Sequence, residues 1–308
     1  ISDSAGANGN AISLASDGSC TVKATNRSNR NLWINGACLV AQRSTSASST
    51  NGINTVDRYY YESGATTAAP TFGQADVTSG GAYDAGFRKC VKITNGDQSS
   101  ADSGDTVEFM YTFEAQDLAT SGWNYKSASS YITLSFWVKS SVAQNFYGYF
   151  RTKDGSEQMY SFDTGNLSAN TWTKVTRTIP GNSNITINND NGHGLVISFD
   201  AYRGTSAGGN GATLNTWFAG NNATRTPAQT NTWYLEDEAT LEFTGFQMEV
   251  SDHATDFDHR SYSDELKRCE RYYQTTNTYG TYNQNVCLGI SAGTNNIQFG
   301  IGFKTEMR

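Results

Sequence analysis

Apolar and polar residues alternate along most of the chain between Asn31 and Val250. The pattern is plainest in "FRKCVKIT", "DTVEFMYTFEAQDL", "YITLSFWVKSS", "QNFYGYFRTK", "EQMYSFDTG", "TWTKVTRTI", "HGLVISFDAYRG" and "ATLEFTGFQMEV". Each run is bounded by Gly, Asn, Asp or Ser. Period-two alternation of this length predicts strands with one dry face, and a succession of them joined by turns predicts an all-β antiparallel jelly-roll sandwich. The alternation also assigns faces. In the third run Ile132, Leu134, Phe136 and Val138 point one way, and Ser135, Trp137 and Lys139 the other. In "NFYGYFR", Phe146, Gly148 and Phe150 share a face opposite Tyr147, Tyr149 and Arg151. A sheet face bearing two tyrosines and an arginine is half dry, so it either lies under a loop or meets a ligand. Ahead of these runs, "NLWINGACLVAQR" is apolar with a turn at Asn35-Gly36, and "NTVDRYYYES" follows it.

The period changes once. In "SYSDELKRCERYYQ" the residues Tyr262, Leu266, Cys269 and Tyr273 form one helical stripe, with Glu265, Lys267, Arg268, Glu270 and Arg271 on the other side. Ser261 with Asp264 makes a capping box, and Ser263 is an alternative cap. The resulting division is an arm or strand pair over 1–30, the sandwich over 31–262, a connecting helix over 263–273 and a small C-terminal β-segment over 274–308. The chain starts at Ile1 and its last run, "NNIQFGIGFKTEMR", reads as a strand still in progress, so both ends are expected to continue in a longer protein. A long irregular stretch, Gly204 to Asn231, carries Trp217 and Phe218.

Composition narrows the function. Twenty-two basic residues stand against 29 acidic ones, a net charge of −7 with no Lys/Arg run, which argues against nucleic acid and favours a neutral or weakly charged ligand such as a sugar. No apolar run approaches the ~20 residues of a membrane span. The five cysteines include no CxxC pair, so most of them read as reduced, buried or incidental thiols, with a single bridge left open, rather than as a zinc site or a disulfide framework. There is no GxSxG and there are three histidines, which speaks against a serine triad. A glycosidase needs two carboxylates across a cleft. Glu62, Glu108, Glu114, Asp117, Asp200, Glu242 and Glu249 are available, but alternation does not say which of them face each other, and the chain is expected to be non-catalytic.

In "DHATDFDHR" a metal could be held by Asp252, His253, Asp256, Asp258 and His259. The histidines are six apart, a spacing that fits neither a helix face nor a strand face. The simpler reading is a structural joint. Phe257 plugs the sandwich, His259 and Arg260 bond backbone carbonyls, and Ser263, Leu266 and Cys269 seat the helix. Sugar recognition needs flat rings beside planar polar groups. The candidates are Trp123 and Tyr125 in "SGWNYKS", Tyr147, Tyr149 and Arg151 on their strand, and Trp217 in the long loop. Taken singly, each ring reads more simply as core, and Trp137 and Trp172 read as core or sheet cover.

Two sets of residues carry resemblances. The order "VEFMYTFEAQDL … YITLSFWVKSS … ANTWTKVTRTIPG … YLEDEATLEFTGFQMEV" is similar to the jelly-roll carbohydrate-binding modules of polysaccharide hydrolases. Such modules often hold a structural calcium, for which Glu236, Asp237 and Glu238 are candidate ligands, as is "NNDNGHG". No other cofactor is implied. The pattern "NLWINGACLVAQRS … NTVDRYYYES … FTGFQMEVSDHATDFDHRSYSDELKRCERYY" resembles a domain of tail-fibre and other virion proteins of bacteriophages. That domain closes on a "TPFEHRSYxDELxxCQRYY"-like run. Thr255, Phe257, His259, Arg260, Ser261, Tyr262, Glu265, Leu266, Cys269, Arg271, Tyr272 and Tyr273 match it, with Asp256 in place of proline and Asp258 in place of glutamate. The resemblance implies a jelly roll on the surface of a virus particle, with other virion proteins as partners and a homotrimeric assembly. That resemblance implies no particular ligand, and three functions stay open: a non-catalytic tail fibre or appendage that binds a host cell-surface glycan; a purely structural head decoration or fibre shaft; and a carbohydrate-binding module or depolymerase fragment of a polysaccharide-degrading enzyme.

Overall fold

The computed structural model describes residues 30–275, together with Ile12–Leu14, Cys20–Val22, Ile290–Ser291, Ile297–Gln298 and 305–308. Strands β1 (Ile12–Leu14) and β2 (Cys20–Val22) pair with each other. The sandwich is made of β3 (Tyr59–Gly64), β4 (Thr71–Asp76), β5 (Lys89–Thr94), β6 (Thr106–Glu114), β7 (Tyr131–Ser140), β8 (Asn145–Thr152), β9 (Gln158–Asn166), β10 (Thr173–Pro180), β11 (His193–Arg203), β12 (Trp217–Ala219) and β13 (Thr240–Glu249). They form two antiparallel sheets, one of order β10-β7-β13-β5-β4 and one of order β12-β9-β8-β11-β6-β3, and the chain passes repeatedly from one sheet to the other. The jelly-roll sandwich read from alternation is the fold of the chain. A last pair, β14 (Ile290–Ser291) and β15 (Ile297–Gln298), lies in the C-terminal segment; the rest of that segment up to residue 304 and most of 1–29, including Cys287, fall outside the described residues.

The inward faces are those the alternation assigns. Ile132, Leu134, Phe136 and Val138 meet Phe146, Phe150, Phe109, Phe199 and Phe243 in one aromatic core. Gly148 faces inward too: a Cβ there would stand 2.5 Å from the Phe162 ring and from the Ser198 carbonyl, so the absent side chain is what lets Phe162 in. Cys38, Cys90 and Cys269 are buried free thiols.

Two expectations give way. The run "DTVEFMYTFEAQDL" does not stay extended to Leu118. It turns at Glu114 into the one-turn helix α2 (Ala115–Ala119), because the turn before β11 captures its first amides: Ala115 N donates to Gly192 O (3.0 Å) and Gln116 N to Asp190 O (2.8 Å). Another short turn of helix, α1 (Gly81–Asp84), precedes β5. The connecting helix α3 (Tyr262–Glu270) begins one residue earlier and ends three residues sooner than the pattern implies. Its cap is Ser261, whose hydroxyl accepts from Asp264 N (3.2 Å); Ser263 is exposed and lies 3.0 Å from the Ser261 hydroxyl. Tyr262 is 56% exposed, so it does not belong to the buried stripe. The buried face is Glu265, Cys269 and Glu270, with Leu266 and Tyr273 half-buried. Glu265 turns inward because it has work there: its carboxylate accepts from Arg260 (2.9 Å) and from the buried Asn35 amide. Helix α3 stops at Glu270 as Arg271 turns to pair with buried Glu114 on β6 (2.9 Å).

At the joint, Phe257 packs edge-on against Phe87 at 4.8 Å, on a small second cluster with Val77, Ala82, Cys90 and Trp172. It sits outside the five-stranded sheet rather than in the main core. His259 Nε2 lies 3.2 Å from Ala85 O. Arg260 donates to Trp33 O (3.2 Å) and to Asn31 O. These side chains satisfy backbone carbonyls where the chain leaves β13.

Candidate binding groove

The outward face of the six-stranded sheet is divided in two. Over one half, the stretch after β11 folds back: Asn215 N donates to Ser161 O (2.8 Å), and Arg225 Nη1 to the Tyr149 hydroxyl (3.2 Å). Beneath it lies a sealed charge cluster. Glu108 on β6 and Asp200 on β11 are register partners and are both buried. Arg203 forks between them, Nη2 to Glu108 Oε2 at 2.5 Å and Nε to Asp200 Oδ2 at 2.6 Å. The Ser198 hydroxyl lies against both acids, 2.8 Å from Asp200 and in contact with Glu108. Burial would push the Glu108 carboxyl up, but Arg203 and Ser198 hold it below the usual carboxylate range; burial leaves Asp200 raised. The facing carboxylates of this sheet are thus spent on one arginine under a loop. Of the other acids available for catalysis, Glu114 holds Arg271, Glu242 holds Lys139 (2.9 Å) and Glu249 holds the Thr255 hydroxyl (2.7 Å), while Asp117 is exposed.

The other half is an open groove of about 860 Å³. Its floor is Met110, Thr112 and Val196, and Tyr60 and Glu62 on β3 line one side. Tyr60 is 40% exposed, the free ring of the groove. Cation–ring pairs also line it: Arg58 over the Tyr272 ring at 3.4 Å and Arg43 over the Tyr273 ring at 3.7 Å. Arg58 has φ 81°, a left-handed backbone that a side chain of its size rarely adopts, and Nη2 donates to Thr112 O at 2.5 Å. Arg151 pairs with Glu157 at 2.5 Å, and Asp57 receives Arg43 at 3.5 Å. His193 at the rim is lowered by desolvation and by the nearby Arg308, Lys153 and Arg58. Burial raises both groove carboxyls, Asp57 and Glu62, with Glu108 adding to the shift at Glu62.

Two of the six sugar-contact candidates, Tyr149 and Arg151, line this groove. Tyr149 is 2% exposed and its hydroxyl is taken by Arg225, so it closes the groove's end and offers no open face. Tyr147, on the same strand face, is half-buried and does not line it. Trp123 is buried in the main core and therefore presents no ring to a ligand; its indole donates to Ser130 O (3.3 Å). Tyr125 leans on it, and Trp217 stands on Tyr160 at 5.3 Å with its indole donating to Pro180 O (2.7 Å). These three belong to the β10 end of the sandwich, away from the groove. Glu236, Asp237 and Glu238 are exposed on the turn before β13, and among the described residues no group of three or more acid, histidine or cysteine side chains converges as metal ligands do. Tyr60, Arg58, Arg43, Tyr272 and Tyr273 were not among the candidates. The alternation in "DRYYYES", which sets Tyr60 and Glu62 opposite Tyr59 and Tyr61, was the available signal.

No family model matches the chain, and no curated protein does. Among solved structures it is similar to the enzymatically active domain of tailspike protein 4 of bacteriophage CBA120, with 11% identity, TM-score 0.38, 72% of this chain and 22% of that one covered. It is similar to a putative sugar binding protein from Bacteroides thetaiotaomicron, with 10% identity, TM-score 0.38, 72% of this chain and all of that one covered. It is also similar to the N-terminal cellulose-binding domain of a Cellulomonas fimi β-1,4-glucanase, with 10% identity, TM-score 0.30, 54% of this chain and 80% of that one covered. At these scores the likenesses add nothing to the architecture already described. The chain spans about a fifth of the length of the tailspike domain it matches.

Proposed function

We propose that the protein is a non-catalytic glycan-binding domain of a bacteriophage appendage, with its ligand in the groove of the six-stranded sheet. The observation that carries this is the combination of an exposed ring, Tyr60, an apolar floor of Met110 and Val196, and a wall of fixed planar guanidinium groups. A pyranose presents an apolar face to a ring and hydroxyls to planar donors, and this groove offers both. The phage setting rests on the closing run from Thr255 to Tyr273. The same groove would serve a binding module of a polysaccharide-degrading enzyme equally well.

A glycan array tests the reading. Tyr60→Ala is expected to weaken any glycan signal at least about tenfold, the scale of a lost ring contact of ~1.4 kcal/mol. His259→Ala, outside the groove, should leave it unchanged at an equal melting temperature. Binding that survives Tyr60→Ala, or is lost with His259→Ala in a folded protein, would place the site elsewhere. The appendage setting also implies a homotrimer, so light scattering is expected to give three times the 33.5 kDa chain mass. A monodisperse monomer at micromolar concentration argues against it.

A further inference from the structure

We propose that the ligand of this groove is an acidic polysaccharide, its ring on Tyr60 and its carboxylate or sulfate groups toward Arg58, Arg151 and Lys153. This rests on the glycan reading and names the class of glycan. The chain as a whole carries −7, yet the groove gathers five cationic side chains against two carboxylates. One of those carboxylates, Asp57, is already engaged by Arg43 and by the Gln42 amide (2.5 Å). Glu157 alone answers both Arg151 (2.5 Å) and Lys153 (3.4 Å), leaving one positive charge over. Arg58 is 8% exposed and forms no ion pair with a described carboxylate; its Nε has no hydrogen-bond partner. Its charge rests on two rings, Tyr272 at 3.4 Å and Tyr111 at 4.9 Å. A buried cation without an anion is costly, and an anionic ligand at the groove would complete it. His193 at the rim is lowered first by desolvation, and Arg308, Lys153 and Arg58 add to the shift.

The volume suits an oligosaccharide rather than a single oxyanion. Single-stranded nucleic acid needs several rings for successive bases, and here one ring is exposed.

Affinity electrophoresis of the full chain tests this with polygalacturonate, its methyl ester, dextran, dextran sulfate and a short single-stranded DNA. The expected result is retardation by polygalacturonate or dextran sulfate at least tenfold stronger than by the ester or plain dextran, weakening as salt is added. Which of the two acidic polymers binds separates carboxylate from sulfate. The double change Arg151→Gln with Lys153→Gln should weaken it about tenfold, while Lys174→Gln, exposed on β10 of the other sheet, should not. Equal retardation by the methyl ester would overturn the acidic class and leave the glycan reading standing. No retardation by any of the four polysaccharides would overturn both. Equal binding of DNA, or an equal loss with Lys174→Gln, would reduce the effect to unspecific charge.

Discussion

Trp33→Ala is expected to destabilise the protein by about 3–5 kcal/mol, the range for removing a large buried aromatic side chain. Trp33 is fully buried at the centre of the core although it lies in a segment with no regular structure. Its ring stacks on Tyr111 at 4.1 Å and on Phe246 at 4.7 Å, which ties the two sheets together. Its indole donates to the Tyr59 hydroxyl (3.1 Å), which in turn donates to Asn35 O (3.0 Å). The Tyr111 hydroxyl accepts from Ile34 N (2.9 Å) and donates to Ile34 O (3.2 Å). Irregular backbone can cross a core only if its polar groups are paired, and here two core tyrosines do that pairing. Loss of the indole therefore removes packing and frees a hydroxyl chain at once. Urea denaturation followed by fluorescence and circular dichroism measures it; a loss under about 1 kcal/mol would mean that this segment is not part of the core.

Trp33 also marks the boundary of what the sequence makes legible. Strands and their faces follow from local alternation, so the sandwich, its inward phenylalanines and the outward Tyr147-Tyr149-Arg151 face could be read directly. The path of residues 31–42 could not. It is set by partners some two hundred residues away: Asn31 Nδ2 donates to Phe246 O (3.0 Å) and its Oδ1 accepts from Met248 N (3.0 Å), at the irregularity in β13 between Thr244 and Gln247. Gly36 is held to that spot as well, since a Cβ there would lie 2.1 Å from Phe246 O. The same limit explains the helix. Periodicity places Tyr262 inside and Glu265 outside, but the buried Asn35 amide and Arg260 draw Glu265 in, and periodicity contains no trace of them. In the groove, the tyrosine–arginine face was visible, while its division into a covered and an open half depends on the return of Arg225, and Arg58 meets Tyr272 only through the fold.

Arg203→Met carries the other large expected effect, and it depends on pH. The change leaves Glu108 and Asp200 facing each other, buried, without the guanidinium that forks between them. Removing one partner of a buried ionic cluster typically costs about 3–5 kcal/mol. Arg225 remains near and still favours the charged form of Glu108, so the cost belongs toward the lower end of that range. In the wild type the two acids act in opposite senses. Glu108, lowered, contributes stability above its unfolded value, lost as pH falls through the folded one; Asp200, raised, contributes below its unfolded value, lost as pH rises through the folded one. Without Arg203 both are governed by burial and by each other, so both move up. The native variant then binds more protons than its unfolded chain, and its stability rises as pH falls from neutral toward the unfolded carboxylate range near ~4. Denaturation of wild type and variant at pH 7.5 and pH 5 is expected to show a deficit that shrinks at pH 5. Arg203→Lys keeps the charge without the fork and should lose less at pH 7.5. A deficit of equal size at both pH values would show that Arg203 stabilises by packing and neutral hydrogen bonding, since a change in packing is indifferent to protons and an unopposed carboxylate pair is not.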